Sequence, residues 1–313
     1  MSTTDTPLRY PGGKSALAGF LARIARATGL RNAFYAEPYC GGAGAALSLL
    51  FSEVVSDVYL NDIDRAIYCF WKAALVHTDA MCKHLHTVEL SIPEWQRQKA
   101  VLLRCHRHSV LDVGFACLFL NRVNRSGVLR ANPIGGLAQE GEWRMDARFN
   151  RAALVAKIQR IARYRNRIHI SNLDAAVFLE GTVAKLARPT LTYLDPPYFA
   201  KGQFLYRNHY EPEDHRKLAE YLKSGALPYW LVSYDATPEV QELYTGCRRL
   251  TYQLSYSAAK RYSGREVMFF SPALQLPVEA DPFFGSQRAW NGRLFTPSPA
   301  KRLLQMAVSD PTS

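Results

Sequence analysis

Residues 33–51 read Ala33-Phe-Tyr-Ala-Glu-Pro-Tyr-Cys-Gly-Gly-Ala-Gly44-Ala-Ala-Leu-Ser-Leu-Leu-Phe51. Ala33–Tyr39 is the short apolar, aromatic-rich run of a buried strand, Cys40–Gly44 is a glycine turn, and Ala45–Phe51 resumes helical character. A strand, a glycine turn and a helix in immediate succession open a sheet whose strands are joined by helices. Glycines at such a turn let backbone approach a ligand, and Asp62 follows 18 residues after Gly44, a spacing that suits an acidic group on ribose hydroxyls.

The same alternation continues on either side. Ser15–Thr28 carries Leu17, Phe20, Leu21 and Ile24 at the spacing of an amphipathic helix. Val54–Leu60 reads as a second strand ending at Asn61-Asp62-Ile63-Asp64, with a helix from Ala66 to Leu75. Strand character returns at Ile168–Ser171, Leu191–Leu194 and Tyr229–Tyr234, separated by helical stretches around 174–186 and 213–223. This βα order predicts a mostly parallel sheet, with 250–254 and 267–270 as closing, antiparallel strands. Between about 77 and 165 the pattern shifts to Arg- and His-rich helices around a Gly/Pro/Asn loop, as in an inserted lobe. The expected organisation is therefore 1–76 and 166–280 as two parts of one α/β domain, 77–165 as a mainly helical lobe, and 281–313 as a loose or docked tail. There is no internal repeat.

The 313 residues suffice for such a domain plus a lobe. With 39 Lys+Arg against 27 Asp+Glu the formal net charge is +12, which favours a polyanionic partner and by itself suits DNA, RNA or anionic lipid alike. Met1–Arg9 is polar, and no segment offers the roughly 18 apolar residues of a membrane span, so a soluble, unexported protein is expected. Six cysteines without a C-x-x-C pair fit a reduced, cytoplasmic chain.

Three motifs carry chemistry. In the glycine turn, a nicotinamide dinucleotide would require a third glycine where Gly42-Ala-Gly44-Ala-Ala-Leu has Leu47. Arg9-Tyr10-Pro-Gly-Gly-Lys14-Ser15 ends like a phosphate-binding loop, but its first glycine would fall on Leu8, so Lys14 is better placed to reach a carboxylate and Tyr10 to supply an aromatic wall. The most specific is Asp195-Pro196-Pro197-Tyr198, directly after the apolar run Leu191–Leu194. Two prolines fix the backbone and remove two N–H donors, which leaves a rigid surface of carbonyl and carboxylate acceptors beside an aromatic ring. Such a surface suits an amino group on a base. The lone pair of adenine N6 is delocalised, and hydrogen bonds from N6–H to Asp195 and the Pro196 carbonyl would localise it, while Tyr198 stacks on an extruded base.

Weaker signals surround these. Asn172-Leu-Asp174 follows the strand Ile168–Ile170, and Asn121, Arg122, Asn124, Arg125 and Arg130 offer donors for phosphates and base edges. His84 and His86 stand two apart, a poor spacing for zinc on a helix, so no metal is expected. A G-x-S-x-G elbow is missing, which leaves a hydrolase without support.

Taken in order, Tyr10-Pro-Gly-Gly-Lys14, Glu37-Pro-Tyr-Cys-Gly-Gly-Ala-Gly44, Asn61-Asp62, Asn172-Leu-Asp174 and Asp195-Pro-Pro-Tyr198 resemble the Dam-like, alpha-group adenine-N6 DNA methyltransferases over about residues 7 to 272. The resemblance implies a Rossmann-like S-adenosylmethionine-dependent methyltransferase sheet with an inserted target-recognition lobe. It also implies S-adenosyl-L-methionine as cofactor and a flipped adenine in double-stranded DNA as substrate. By matching position, Tyr10, Lys14, Tyr39, Gly41, Gly44, Asp62, Asp174 and Asp195 would contact the cofactor. Asn121–Gly127 would lie near the target strand. Where relatives place an aromatic residue after Asp174 this chain has Ala175, which shifts adenine stacking to another side chain such as Phe178. A cognate restriction system is a partner the resemblance admits and the sequence does not decide. RNA adenine or cytosine N4 methylation, and a catalytically silent nucleic-acid-binding protein of the same fold, stay open as alternatives.

Overall fold

The computed structural model describes residues 4–9, 14–199, 210–256 and 262–277. Tyr10 and the rest of its turn, and the tail after Asp281, lie outside the described residues. Seven strands form one sheet: β1 Phe34–Glu37, β2 Asp57–Asn61, β3 Ile168–Ser171, β4 Thr190–Leu194, β5 Trp230–Asp235, β6 Arg248–Tyr256 and β7 Tyr262–Phe270, in the order β3-β2-β1-β4-β5-β7-β6. The first five strands run parallel, whereas β7 is antiparallel to both β5 and β6. The closing strands were expected to be shorter, because Arg248, Arg249 and Glu266 interrupt the apolar signal that marks a strand.

Helices cover both faces, so the central strands are buried along their whole length and mostly apolar rather than alternating. All residues of β4 and β5 are buried. On one face α1 (Ala18–Ala27), α2 (Gly44–Phe51) and α3 (Arg65–Val76) pack over Tyr35, Val58, Leu191 and Tyr193. On the other, α8 (Ala175–Gly181), α9 (Pro212–Lys223) and α10 (Pro238–Leu243) pack over Ala36, Leu194, Val232 and Tyr234.

Four helices fill the β2–β3 crossover between α3 and β3: α4 (Thr78–Thr87), α5 (Ile92–Leu103), α6 (Val110–Val123) and α7 (Arg151–Arg163). They fall within the 77–165 segment. Trp95, Phe115, Phe119, Phe149, Leu154 and Ile158 belong to the same apolar core as Leu21 and Tyr35, so the segment is continuous with the sheet's core. α6 is the bridge, because it is buried along most of its length and lies against α3. Gly114 permits that approach: a Cβ there would stand 2.5 Å from the carbonyl oxygen of Cys69 and 2.9 Å from the Cβ of Ala73. Gly114→Ala should therefore cost about 1–3 kcal/mol despite the better helix propensity of alanine. Gly181→Ala, with open space around it, should be near neutral. Denaturant unfolding of the two variants measures the contrast.

Candidate active site at the carboxyl edge of the sheet

The strand order reverses direction between β1 and β4, and ligand sites of open α/β sheets lie at that switch, outside the carboxyl ends of the strands. The glycine turn after β1 and the Asp195–Tyr198 loop after β4 are therefore neighbours by topology. In the turn, Gly41 (φ 44°) and Ala43 (φ 43°) are both left-handed. Trp71 of α3 anchors it, donating Nε1–H to the Gly41 carbonyl at 2.9 Å.

Asp62 follows β2. Its Oδ2 accepts the Gly41 N–H at 2.9 Å and its Oδ1 the Asp64 N–H at 2.9 Å. Burial nevertheless outweighs these bonds and pushes the carboxyl up to about 7. A carboxylate offers about four lone-pair positions, so two stay open. Asn61, fully buried, holds the strand ends together. Its amide donates to the carbonyls of Pro38 and Leu173 at 3.0 Å each and accepts the Leu173 N–H at 2.9 Å. Asn172 in turn donates to the carbonyls of Asp62 and Ile63.

The Asp195 side chain is 27% exposed, open enough to be reached from solvent. Its Oδ1 takes two partners, Lys14 Nζ at 3.3 Å and the Ser233 hydroxyl at 2.9 Å. Among the described residues nothing donates to Oδ2. Lys14 also meets Glu266 Oε2 at 3.2 Å, and that carboxylate accepts the hydroxyls of Tyr198, through Oε1, and of Tyr252, through Oε2 at 2.6 Å. Burial and the nearby Glu266 charge raise the Asp195 pKa against the opposing pull of Lys14. Burial would lower that of Lys14, but the two carboxylates overcome it and raise it. Lys14 is thus a firm cation, and among the described residues its ammonium meets these two carboxylates. Glu37, at the end of β1, is pushed up to about 8 by burial, so it is largely protonated at neutral pH.

The site residues named from the sequence fall into three groups. Lys14, Asp195 and Tyr198 come together, and Asp62 lies beside the glycine turn. Tyr39 shares a 2.6 Å hydroxyl contact with Tyr210, and one oxygen of Asp174 caps α8 by accepting the Ala176 N–H. Gly44 has a packing reason to be glycine, since a Cβ there would stand 2.0 Å from Ser15 Oγ, and its small size lets the Lys14–Leu17 turn lie against α2.

Other expectations are corrected by burial. Phe178 is 1% exposed within the core of the α8–α10 face and cannot stack on a ligand. Exposed apolar groups beside Asp62 and Asp174 are instead Ile63, Leu173 and Val177. Asn121 and Asn124 are also buried. The Asn121 amide is spent on Arg9 N–H, Arg9 O and Gly127 O, and that of Asn124 on Trp95 Nε1–H and the carbonyls of Val128 and Leu129. Both build the loop and have no donor left for a base edge. Arg122 is half-buried, donating to the carbonyls of Arg148 and Pro7, whereas Arg125 and Arg130 are exposed. Sequence reasoning missed Glu266 and Ser233. The signal was a single charged or hydroxyl residue inside an otherwise apolar strand.

A seven-stranded sheet of this order, with a glycine turn after its first strand and an acceptor loop after its fourth, defines the α/β methyltransferase class. The chain belongs to the D12 class N6 adenine-specific DNA methyltransferase family, which it matches over residues 10–260. It is therefore a methyltransferase, with S-adenosylmethionine as methyl donor. No curated protein matches it. Among solved structures it is similar to the rRNA methyltransferase aviRa from Streptomyces viridochromogenes, with 15% identity over 88% of this chain and 89% of that one. The TM-score of 0.34 is too low for that likeness to carry an argument. The open lone pairs of Asp62, the left-handed turn and the exposed Ile63 and Leu173 fit the ribose, backbone-facing and adenine parts of the donor.

Proposed function

We propose that the protein methylates N6 of adenine in double-stranded DNA at a specific short sequence, with the motif order of the Dam-like group and with the base flipped out of the duplex. The observation that carries this reading is the asymmetry of Asp195, whose Oδ1 is clamped by Lys14 and Ser233 while Oδ2 faces no described donor. Oδ2 and the Pro196 carbonyl accept the two N6–H groups and draw the lone pair onto nitrogen. Pro197 holds the loop rigid, and the Tyr198 ring, tied through its hydroxyl to Glu266, forms a stacking wall for the base. Asp195, whose proton affinity burial raises, is also placed to receive the proton that N6 sheds.

S-adenosylmethionine supplies an electrophilic methyl group when bound. Asp62 holds its ribose, the Tyr39–Gly41 turn its methionine end, and Ile63, Leu173 and Val177 its adenine, with Asp174 at the rim. Arg125 and Arg130 contact DNA phosphates, in keeping with the net charge of +12. Among the described residues no helix is long and apolar enough to cross a membrane. A cytoplasmic site of action, with access to the chromosome, belongs to the same reading.

Incubation with methyl-labelled S-adenosylmethionine and unmethylated genomic DNA, followed by digestion to nucleosides, tests the assignment. Label in N6-methyladenine is expected. Label in N4-methylcytosine, or transfer to RNA alone, would overturn it. The ribose contact adds a pH dependence. Only the ionised Asp62 accepts from both ribose hydroxyls, so affinity for the donor is lost as pH falls through about 7. Binding should weaken about tenfold from pH 8 to pH 6. Asp62→Asn should be weak at both values and flat between them, and a flat wild-type profile by calorimetry would contradict the contact.

A further inference from the structure

Residues 5–9, ahead of Lys14 in the chain, are fastened to the α6–α7 region. Asn121 brackets the backbone of Arg9 at 2.6 and 2.7 Å, Lys157 reaches the Thr6 carbonyl at 3.0 Å, and Arg160 pairs with Asp5 at 2.8 Å. Gly127 makes the fit close, since at φ 76° a Cβ would stand 2.4 Å from the Arg9 carbonyl oxygen. Where this segment meets the 125–148 loop there is a cavity of about 230 Å³, lined by Arg9, Arg125, Arg148, Ser126, Ile134 and Trp143.

Its charge is unbalanced. Among the described residues no carboxylate pairs with Arg9, Arg125 or Arg148. Arg148 crowds its neighbours. Burial first, then the Arg148 charge, lowers Arg9, and burial with Arg9 and Arg148 pushes Arg122 down to about 10. Arg9 and Arg122 are half-buried without a paired carboxylate among the described residues, which is costly unless an anion joins them, and Arg125 and Arg148 stand exposed beside them. Trp143 is 66% exposed at the rim, a large indole with nothing covering it.

We propose that this cavity binds a backbone phosphate of the duplex DNA substrate, with Trp143 against the adjoining sugar or base; the inference rests on the DNA reading above. The pocket opens to the surface and has ample room for a phosphate group. Planar guanidinium groups suit the phosphate geometry, and the Ser126 hydroxyl adds a donor. Position agrees as well. Five Cα–Cα steps, at most about 18 Å of chain, join Arg9 to Lys14, so the pocket and the methyl-transfer site can meet the same duplex. Because Arg9 continues into the segment that carries Lys14, a phosphate seated here also holds the methyl-transfer site against its substrate.

Arg148→Gln and Trp143→Ala test this, since neither side chain makes a described hydrogen bond within the protein. Binding of a fluorescent duplex of mixed sequence is measured between about 50 and 200 mM salt. Arg148→Gln should lower the slope of log affinity against log salt by about one and weaken binding roughly tenfold at low salt, with donor binding unchanged. Trp143→Ala should weaken binding without altering the slope. An unchanged slope for Arg148→Gln would overturn the proposal, as would a change seen on RNA and not on duplex DNA. Wild-type protein that binds DNA through this pocket yet never methylates it would support the pocket and sink the catalytic reading, so the two failures are distinguishable.

Discussion

The ammonium of Lys14 sits between the carboxylates of Asp195 and Glu266, and three distant parts of the chain meet on that contact. Lys14 comes from the N-terminal turn, Asp195 from the end of the central strand β4, and Glu266 from the antiparallel strand β7. Burying charges costs several kcal/mol per ion, which is recovered only when every partner is in place. Removal of one member strands the others, so the cluster acts as a single unit. Its two carboxylates and one cation also leave the edge of the sheet with a negative balance, in the place where a positively charged donor and a developing positive charge on nitrogen require it.

The opposite sign dominates a short distance away. Arg9, Arg122, Arg125 and Arg148 gather where the N-terminal segment crosses α6, and the backbone between Arg9 and Lys14 joins the two regions. The molecule thus separates its charge. Under the proposed reading the basic surface would meet the polyanion, and the buried acidic cluster would polarise one amino group. Asn121 and Asn124 serve this arrangement by holding the backbone that presents the arginines, instead of touching the nucleic acid themselves.

The βα alternation was legible because parallel strands buried on both faces leave short, largely apolar runs, as in Leu191–Leu194 and Trp230–Val232. Asp195-Pro-Pro-Tyr198 was legible because two prolines after such a run have few other uses. Glu266 was not, because its role depends on antiparallel pairing with β5 and β6, a long-range contact with no local periodicity. The expectation for Phe178 failed for a related reason. An aromatic residue near an aspartate is equally compatible with a ligand wall and with the core, and only the facing of α8 decides between them. The amides of Asn121 and Asn124 were read as surface donors because a polar loop gives no sign that its backbone turns inward. The change in composition over 77–165 gave no sign that α6 carries apolar faces continuous with the sheet's core.

One oxygen of Asp195 is clamped by Lys14 and Ser233, and the other would be kept for the substrate. Single-turnover methyl transfer by Asp195→Asn measures this most directly, since asparagine keeps the shape and replaces an acceptor by a donor. The rate should fall by about a thousandfold or more, with the dissociation constants for DNA and for S-adenosylmethionine within a few-fold of wild type. A rate near that of the wild type would show that the carboxylate does not activate the amino group, and the mechanism would be wrong.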